Sequence, residues 1–255
     1  MLDDLGAEVV LPSPPRRVVS LVPSITETVA DTGLLVGATD YCVHPAGLDV
    51  RRVGGSKYPS LDAVQACAPD LVLANAEENR ESDVLALRGA GLTVWTTAAA
   101  GSVPEACAAL RRMFTAALSL PVPRWLAEAQ RLWAEVPPTR AVAVIPVWRK
   151  PWVVLGRDTF AGDVLLRLGI GNAFAGHAER YPRPPVTELQ GADLVVLPDE
   201  PYTFTATDGP QYFAPTPCAL VSGRHLTWWG PSLLEARSLL NAALGTRVQA
   251  PVTER

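Results

Sequence analysis

The sequence lacks a basic run, a long apolar stretch and a cysteine framework, and each absence removes a class of function. Its 22 lysines and arginines are scattered among 26 acids for a formal net charge of −4, which argues against nucleic acid as a partner. No run approaches the ~18 uncharged apolar residues that a membrane helix needs, so no span is expected. The N-terminus, MLDDLGAEVVLPSPPRR, carries acids where a signal peptide needs base, and no export signal is read there. The four cysteines, Cys42, Cys67, Cys107 and Cys218, form no CxxC pair; Cys67 and Cys107 lie in apolar helical contexts and read as small buried hydrophobes. Neither GxGxxG nor GxxxxGK[ST] follows a strand, which removes a phosphate-cradling loop. There is no GxSxG elbow, and His44, His177 and His225 show no obvious acid partner, so nucleophilic catalysis has no footing. The expectation is a protein that is not an enzyme and needs no cofactor.

What is present is globular: 48% of the 255 residues are apolar and 19% charged, enough to bury the core of one large domain or two smaller lobes. The organising stretch is Arg17 to Pro45, RVVSLVPSITETVADTGLLVGATDYCVHP. Val18 to Val22 is a short β-branched run that stops at Pro23, the pattern of a buried parallel strand. Ser24 or Thr26, with Glu27, offers a capping box for a helix running to Gly33. Leu35 to Thr39 reads as a second strand, and Tyr41 to Pro45 as the loop after it. A strand followed at once by a helix N-terminus puts Ser24 either at a ligand-binding sheet edge or simply at a helix cap.

The alternation continues. Gly54 to Pro59 is a turn, Ser60 caps a helix through Ala66, Leu71 to Ala74 is a strand, Glu81 to Gly89 a helix and Leu92 to Thr96 a strand. Such repeated β-α units predict a mainly parallel sheet flanked by helices. Helices are expected at Pro104 to Ala117 and Arg124 to Val136, the latter as a connector. Beyond it the pattern repeats. RVVSLVP at Arg17 returns as RAVAVIP at Arg140, and DLVL at Asp70 as DLVV at Asp193, both 123 positions later. LTVW at Leu92 is echoed by LTWW at Leu226. These echoes predict two lobes of like topology: an N-terminal α/β lobe over 1–120, a connecting helix over 121–137 and a C-terminal α/β lobe over 138–255. In the second lobe a helix is expected at Ala161 to Leu168, capped by Asp158 or Thr159, and another at Pro231 to Leu244. Pro198 to Pro217 reads as irregular surface.

Aromatic residues stand in loops at strand ends: Tyr41, Tyr58, Trp148, Trp152, Phe160, Tyr181, Trp228 and Trp229. Core packing would explain any one of them. Together, after strands of a parallel sheet, they suit a large, flat, partly apolar ligand. Cys42 and His44, one residue apart, are a thin alternative as metal ligands.

RVVSLVPSITETV, VGATDYCVHP, SLDAVQACAPDLVLA, LRGAGLTVW and PWVVLGRDTFAGDVLLRLGIGNAF resemble the helical-backbone substrate-binding proteins of ABC importers, in particular the cobalamin-binding branch. The resemblance spans Arg16 to Leu244 and implies two Rossmann-like lobes with mainly parallel sheets, bridged by a long backbone helix, with ligand in the cleft. It implies a ligand-contacting tyrosine at Tyr41 and pocket aromatics at Trp152 and Tyr181. Asp62 and Glu188 match the acids that dock on the ABC permease. The turn GGSKYPS offers Tyr58 where the best-known cobalamin binders have tryptophan, and LTWWGPSLLEA offers Trp228 and Trp229 in place of an acid and an arginine. The function so implied is capture of a corrinoid by a monomer outside the cytoplasm and delivery to a permease. A ferric siderophore or haem is the rival ligand and would favour clustered arginine, for which Arg149 and Arg157 are the candidates. An intracellular corrinoid or metal carrier is the rival that follows from the missing export signal.

Overall fold

The β-branched runs form parallel strands in the computed structural model, which describes residues 1–248. By compactness the chain falls into two units. The first comprises Met1–Ala99, Cys107–Leu126 and Trp229–Pro231; the second comprises Ala100–Ala106, Ala127–Trp228 and the chain from Ser232 onward. The last seven positions of the expected 138–255 lobe, 249–255, lie outside the described residues.

The first unit runs β1 (Val18–Ser20), α1 (Pro23–Val29), β2 (Leu35–Ala38), β3 (Arg51–Arg52), α2 (Leu61–Ala66), β4 (Leu71–Asn75), α3 (Glu81–Gly89) and β5 (Val94–Thr97). Helix α4 (Val103–Arg112) continues as a π-turn through Ala117, and α5 spans Arg124–Leu132, the helical part of the expected 121–137 connector. The five strands pair in the order β3-β2-β1-β4-β5, all parallel. Val19, Leu21, Val64, Val72, Leu87 and Val94 form the core beneath them.

The second unit holds β6 (Ala141–Val144), β7 (Pro146–Trp148), β8 (Val153–Val154), α6 (Phe160–Leu166), β9 (Ile170–Asn172), β10 (Leu194–Pro198), β11 (Cys218–Val221), α7 (Gly223–Thr227) and α8 (Leu233–Gly245). Its sheet order is β11-β10-β6-β9, again all parallel, with β7 and β8 paired antiparallel beside it. The order β2-β1-β4-β5 of the first unit therefore recurs as β9-β6-β10-β11, so the two units share a doubly wound topology.

The repeated aspartates do the same work in both. Asp70 Oδ2 accepts from the backbone N–H groups of Arg16 and Arg17 at 2.7 and 2.9 Å, and Asp193 Oδ2 accepts from that of Val142 at 2.9 Å. Each clamps the first strand of its sheet. The register differs: Val18 faces Leu71, whereas Ala143, not Ala141, faces Leu194. The second unit's first strand has slid by two residues, which keeps every side chain on its original face because strand periodicity is two.

Three expectations are corrected. LTWW is not a strand: Leu226 and Thr227 close α7, with Leu226 N–H bonding Ser222 O at 3.1 Å, and the counterpart of β5 is β11. Short apolar strings match by composition alone. Ser24 and Thr26 do not cap α1, since Pro23 opens the helix a residue earlier and Val22 takes the cap position; proline's fixed φ suits a first helical turn. Pro198 to Pro217 is not irregular surface throughout, because Phe204 and Phe213 insert into the second core beside Val144, Val195 and Leu197. By contrast Ser60 caps α2 as expected, accepting from Ala63 N–H at 3.3 Å.

Candidate functional site

Tyr41, Tyr58 and Arg80 follow the C-terminal ends of β2, β3 and β4, so parallel pairing brings them to one edge of the first sheet. That edge rests on a buried amide network. Asn79 Nδ2 donates to Ser56 O at 2.7 Å and Leu21 O at 3.2 Å, while its Oδ1 accepts from Asn75 N–H at 2.8 Å. Asn75 Nδ2 in turn donates to Thr97 Oγ1 at 3.0 Å and Ala98 O at 3.1 Å. One asparagine thus ties the end of β1, the 54–59 turn and the end of β4.

On this base Tyr58 is 71% exposed and Tyr41 67%, unusual for rings that bury well. Tyr58 has φ +65°, a region L-residues seldom occupy, and its N–H donates to Asp83 Oδ2 at 3.1 Å. The Arg80 guanidinium carbon lies 3.4 Å from the Tyr58 ring centroid, a cation–π contact. Arg80 also forks onto Asp83, Nε to Oδ2 at 2.8 Å and Nη2 to Oδ1. The hydrogen bond from Arg80 holds the Asp83 carboxyl below the usual carboxylate range and pushes the guanidinium up. The Tyr41 ring covers Gly55, where a Cβ would stand 3.5 Å from the ring and 2.7 Å from Lys57 O.

Ser24 is buried inside α1, its carbonyl accepting from Thr28 Oγ1 at 2.8 Å. Cys42 is buried as well: Thr26 Oγ1 donates to its sulfur at 3.0 Å and Thr39 Oγ1 lies 3.1 Å away. Burial pushes the thiol up from its ordinary value, the reverse of what a metal-ligating thiolate needs. Among the described residues no three His, Cys, Asp or Glu side chains gather as a metal site would require.

In the second unit Trp148 to Trp152 follow β6, and Tyr202 to Phe213 follow β10, again at the C-terminal edge. Arg149 joins these stretches. Its Nε and Nη2 donate to Tyr202 Oη at 3.1 and 3.0 Å, Nη2 to Asp208 Oδ2 at 3.1 Å, and Nη1 to Tyr212 Oη. Tyr202 Oη donates to Asp208 Oδ2 at 2.6 Å. The phenol hydrogen bond, with the nearby Asp208 charge, raises the pKa of Arg149. Trp152 lies parallel to Phe204 at 6.2 Å and edge-on to Tyr212 and Phe213 at 5.5 and 5.2 Å. Trp148 meets Tyr202 edge-on at 5.7 Å and is 44% exposed; Tyr212 is 39% exposed. Sequence reasoning missed Tyr202, Asp208 and Tyr212, although the alternation of Tyr, Phe and Asp in PYTFTATDGPQYF was their signal.

The remaining candidates divide. Tyr181 is exposed on a loop whose Arg180 O accepts from Gly156 N–H at 2.7 Å. Phe160, the first residue of α6, and Trp229 are buried, so neither presents an open ring face; Gly230 beside Trp229 lies so close to α1 that a Cβ would come within 2.8 Å of Thr28 Oγ1. Asp62 in the first turn of α2 and Glu188 on the 3-10 turn Val186–Leu189 are both exposed. Glu188, with Val142, Val144, Phe174 and Asp193, borders a cavity of about 290 Å³ that includes none of the aromatic candidates.

His225 does have an acid partner. Its Nε2 lies 3.0 Å from Glu235 Oε1 and its Nδ1 2.8 Å from Ser222 Oγ. The hydrogen bond with His225 holds Glu235 below the usual carboxylate range. Next to it the Gly223 N–H donates to Asp199 Oδ1 at 2.6 Å, and the His225 ring bridges Ser222, at the start of α7, to Glu235 in α8. It serves to tie α7 to α8.

The chain as a whole has counterparts among solved structures. The periplasmic vitamin B12 binding protein BtuF of Vibrio cholerae superposes with a TM-score of 0.69 at 19% identity, over 92% of this chain and 98% of that one. The periplasmic heme-binding protein BhuT, in complex with two hemes, gives 0.71 at 24% identity over 89% and 97%. CeuE of Helicobacter pylori, in a Ni-His complex, gives 0.77 at 13% identity over 95% and 87%. The chain has the fold of these binding proteins. At such identities the likeness establishes the two-lobed α/β architecture. No protein-family model and no curated protein matches the sequence.

Proposed function

We propose that this protein is the solute-binding component of an ABC importer and that its ligand is a corrinoid or a similarly large, flat metal chelate. The observation that carries the reading is the exposure of Tyr41 and Tyr58 on one sheet edge, and of Trp148, Tyr181 and Tyr212 on the other, in loops where an open α/β sheet receives its ligand. The fold, common to binding proteins for vitamin B12 and heme, supports it. Binding comes from stacking and burial on these rings, with Trp152 as the packed support behind Tyr212; no covalent step is needed. A ferric siderophore or haem would call for open arginines. Arg149 is tied to Asp208 at 3.1 Å, which favours the corrinoid, while Arg157, beside Asp158 at 3.3 Å, stays exposed. Asp62 and Glu188, both exposed, are the acids we assign to permease docking, and the protein works on the extracytoplasmic side.

The test is a titration of the purified protein with cyanocobalamin, followed by tryptophan quenching and the corrin spectrum, beside Tyr58→Ala and Trp148→Ala. Saturable one-to-one binding is expected, weakened roughly tenfold in each variant by loss of a stacking ring. Absence of binding at high micromolar ligand would sink the corrinoid assignment, and saturable hemin binding in its place would move it to haem.

A further inference from the structure

Each aromatic surface brings tyrosine, arginine and aspartate into contact, with the arginine lying on a ring face in the first unit and bonded to two phenol hydroxyls in the second. In the first unit the parts are Tyr58, Arg80 and Asp83, with the guanidinium 3.4 Å from the ring centroid and forked onto the carboxylate. In the second they are Tyr202 and Tyr212, Arg149 and Asp208, with guanidinium-to-centroid distances of 5.5 and 5.0 Å and the carboxylate at 3.1 Å. The two triplets fall on different elements and their residues share no repeat offset, so duplication of one ancestral unit does not account for them.

We propose that Asp83 and Asp208 are specificity-determining residues: by pairing Arg80 and Arg149 they withhold the counter-charge that an anionic ligand would need, and so select a ligand with an amide rim over one with carboxylates. This rests on the aromatic surfaces being the binding site. An unpaired guanidinium stacked on a phenol ring is a strong carboxylate receptor, because its planar fork matches two oxygens. Here Asp83 fills the Arg80 fork, while at Arg149 the Tyr202 and Tyr212 hydroxyls take the donors and Asp208 shares Nη2 and neutralises the charge. A carboxylate arriving at either surface gains little from the arginine and also meets the aspartate's like charge. Neutral amides escape both penalties.

Replacement by asparagine separates charge from shape. The Asp208→Asn side chain would keep an oxygen to accept from Tyr202 Oη and Arg149 Nη2; the Asp83→Asn side chain would keep one for Tyr58 N–H and Arg80 Nε but turn its amide NH2 toward Arg80 Nη2, so there one arm of the fork opens as the negative charge leaves. The experiment uses Asp83→Asn, Asp208→Asn and the double variant of the full chain. Three probes are titrated at low and moderate salt: cyanocobalamin, its monocarboxylic acid derivative in which one side-chain amide is hydrolysed, and hemin with its two propionates. The wild type should prefer the amide corrinoid to the acid. Each variant should bind the acid and hemin roughly five- to tenfold more tightly, as expected for removing one nearby like charge, with the gain shrinking as salt rises and cyanocobalamin affinity changing less than about twofold. An unaltered preference in both variants, or an equal loss for all three probes, would overturn the proposal. If the wild type binds neither corrinoid, the functional reading fails by itself. Hemin then decides the role of the aspartates: tighter binding in the variants upholds it and no gain refutes it.

Discussion

Replacing Asn79 with alanine should destabilise the first unit and blunt its binding edge together. The side chain makes three buried hydrogen bonds, at 2.7, 2.8 and 3.2 Å, to three separate stretches of backbone. Alanine leaves the Asn75 N–H and the Ser56 and Leu21 carbonyls without it. At ~1 kcal/mol for each net bond the loss is about 3 kcal/mol, and for a chain of this size Tm should fall by roughly 6–12 °C. Urea denaturation followed by circular dichroism and tryptophan fluorescence measures it. Because Ser56 lies in the turn that carries Tyr58, affinity for the titrated ligand should also weaken. Asn79→Asp supplies a sharper control. It retains the acceptor for Asn75 but sets a carboxylate against two carbonyls, so at neutral pH it should cost more than alanine. Such a carboxyl has a raised folded-state pKa, so the penalty grows as pH rises above the unfolded carboxylate value and recedes on acidification. Alanine within ~0.5 kcal/mol of wild type would refute the claim that this asparagine organises the edge.

Gly156→Ala should be disruptive, because its Cβ would fall within 2.1 Å of Glu179 O; a loss of about 2 kcal/mol or more is expected in denaturant melts, along with displacement of the Tyr181 loop, and a neutral melt would refute it. Glu235, held low by His225, stabilises the fold above the unfolded carboxylate pKa and loses that contribution as pH falls through its depressed folded value. Glu235→Gln should therefore flatten the acid limb of Tm against pH below about pH 4.5, modestly, since the carboxylate is half exposed; superimposable profiles would count against it. All four cysteines are buried and burial pushes the Cys218 thiol up to about 11, so a thiol reagent at neutral pH should label none of them until the protein unfolds. Rapid labelling of the native protein would contradict this packing.

The fold was legible because its signals are local. β-branched runs ending at Pro23 or starting after Asp70 can hardly be anything but buried strands, and Ser60 caps a helix whatever surrounds it. The 123-residue repeat of RVVSLVP and DLVL already carries the topology common to both sheets. The two-residue slide of β6 stayed hidden, since a shift that preserves facing leaves no mark on the hydrophobic pattern. Exposed tyrosines could be nominated from loop position, but Trp229 and Phe160 sit in equally plausible strings and are buried. The arginine–tyrosine–aspartate triplets escaped notice as well. Arg149 and Asp208 are 59 positions apart, and only the folded β6 and β10 bring them together.

Trp229 to Pro231 belong to the first compact unit, although the rest of that unit ends at Leu126. On the ribosome, therefore, the earliest-made half emerges without the segment that seats Gly230 against α1. It waits for a three-residue segment that includes Gly230, whose backbone seats against Ser24 and Thr28 of α1, roughly 100 residues and about 5–20 s of synthesis later. During that interval α1, which opens the organising stretch of the sequence, has an uncovered flank. Cutting the gene at the obvious midpoint would leave that flank of α1 uncovered for good.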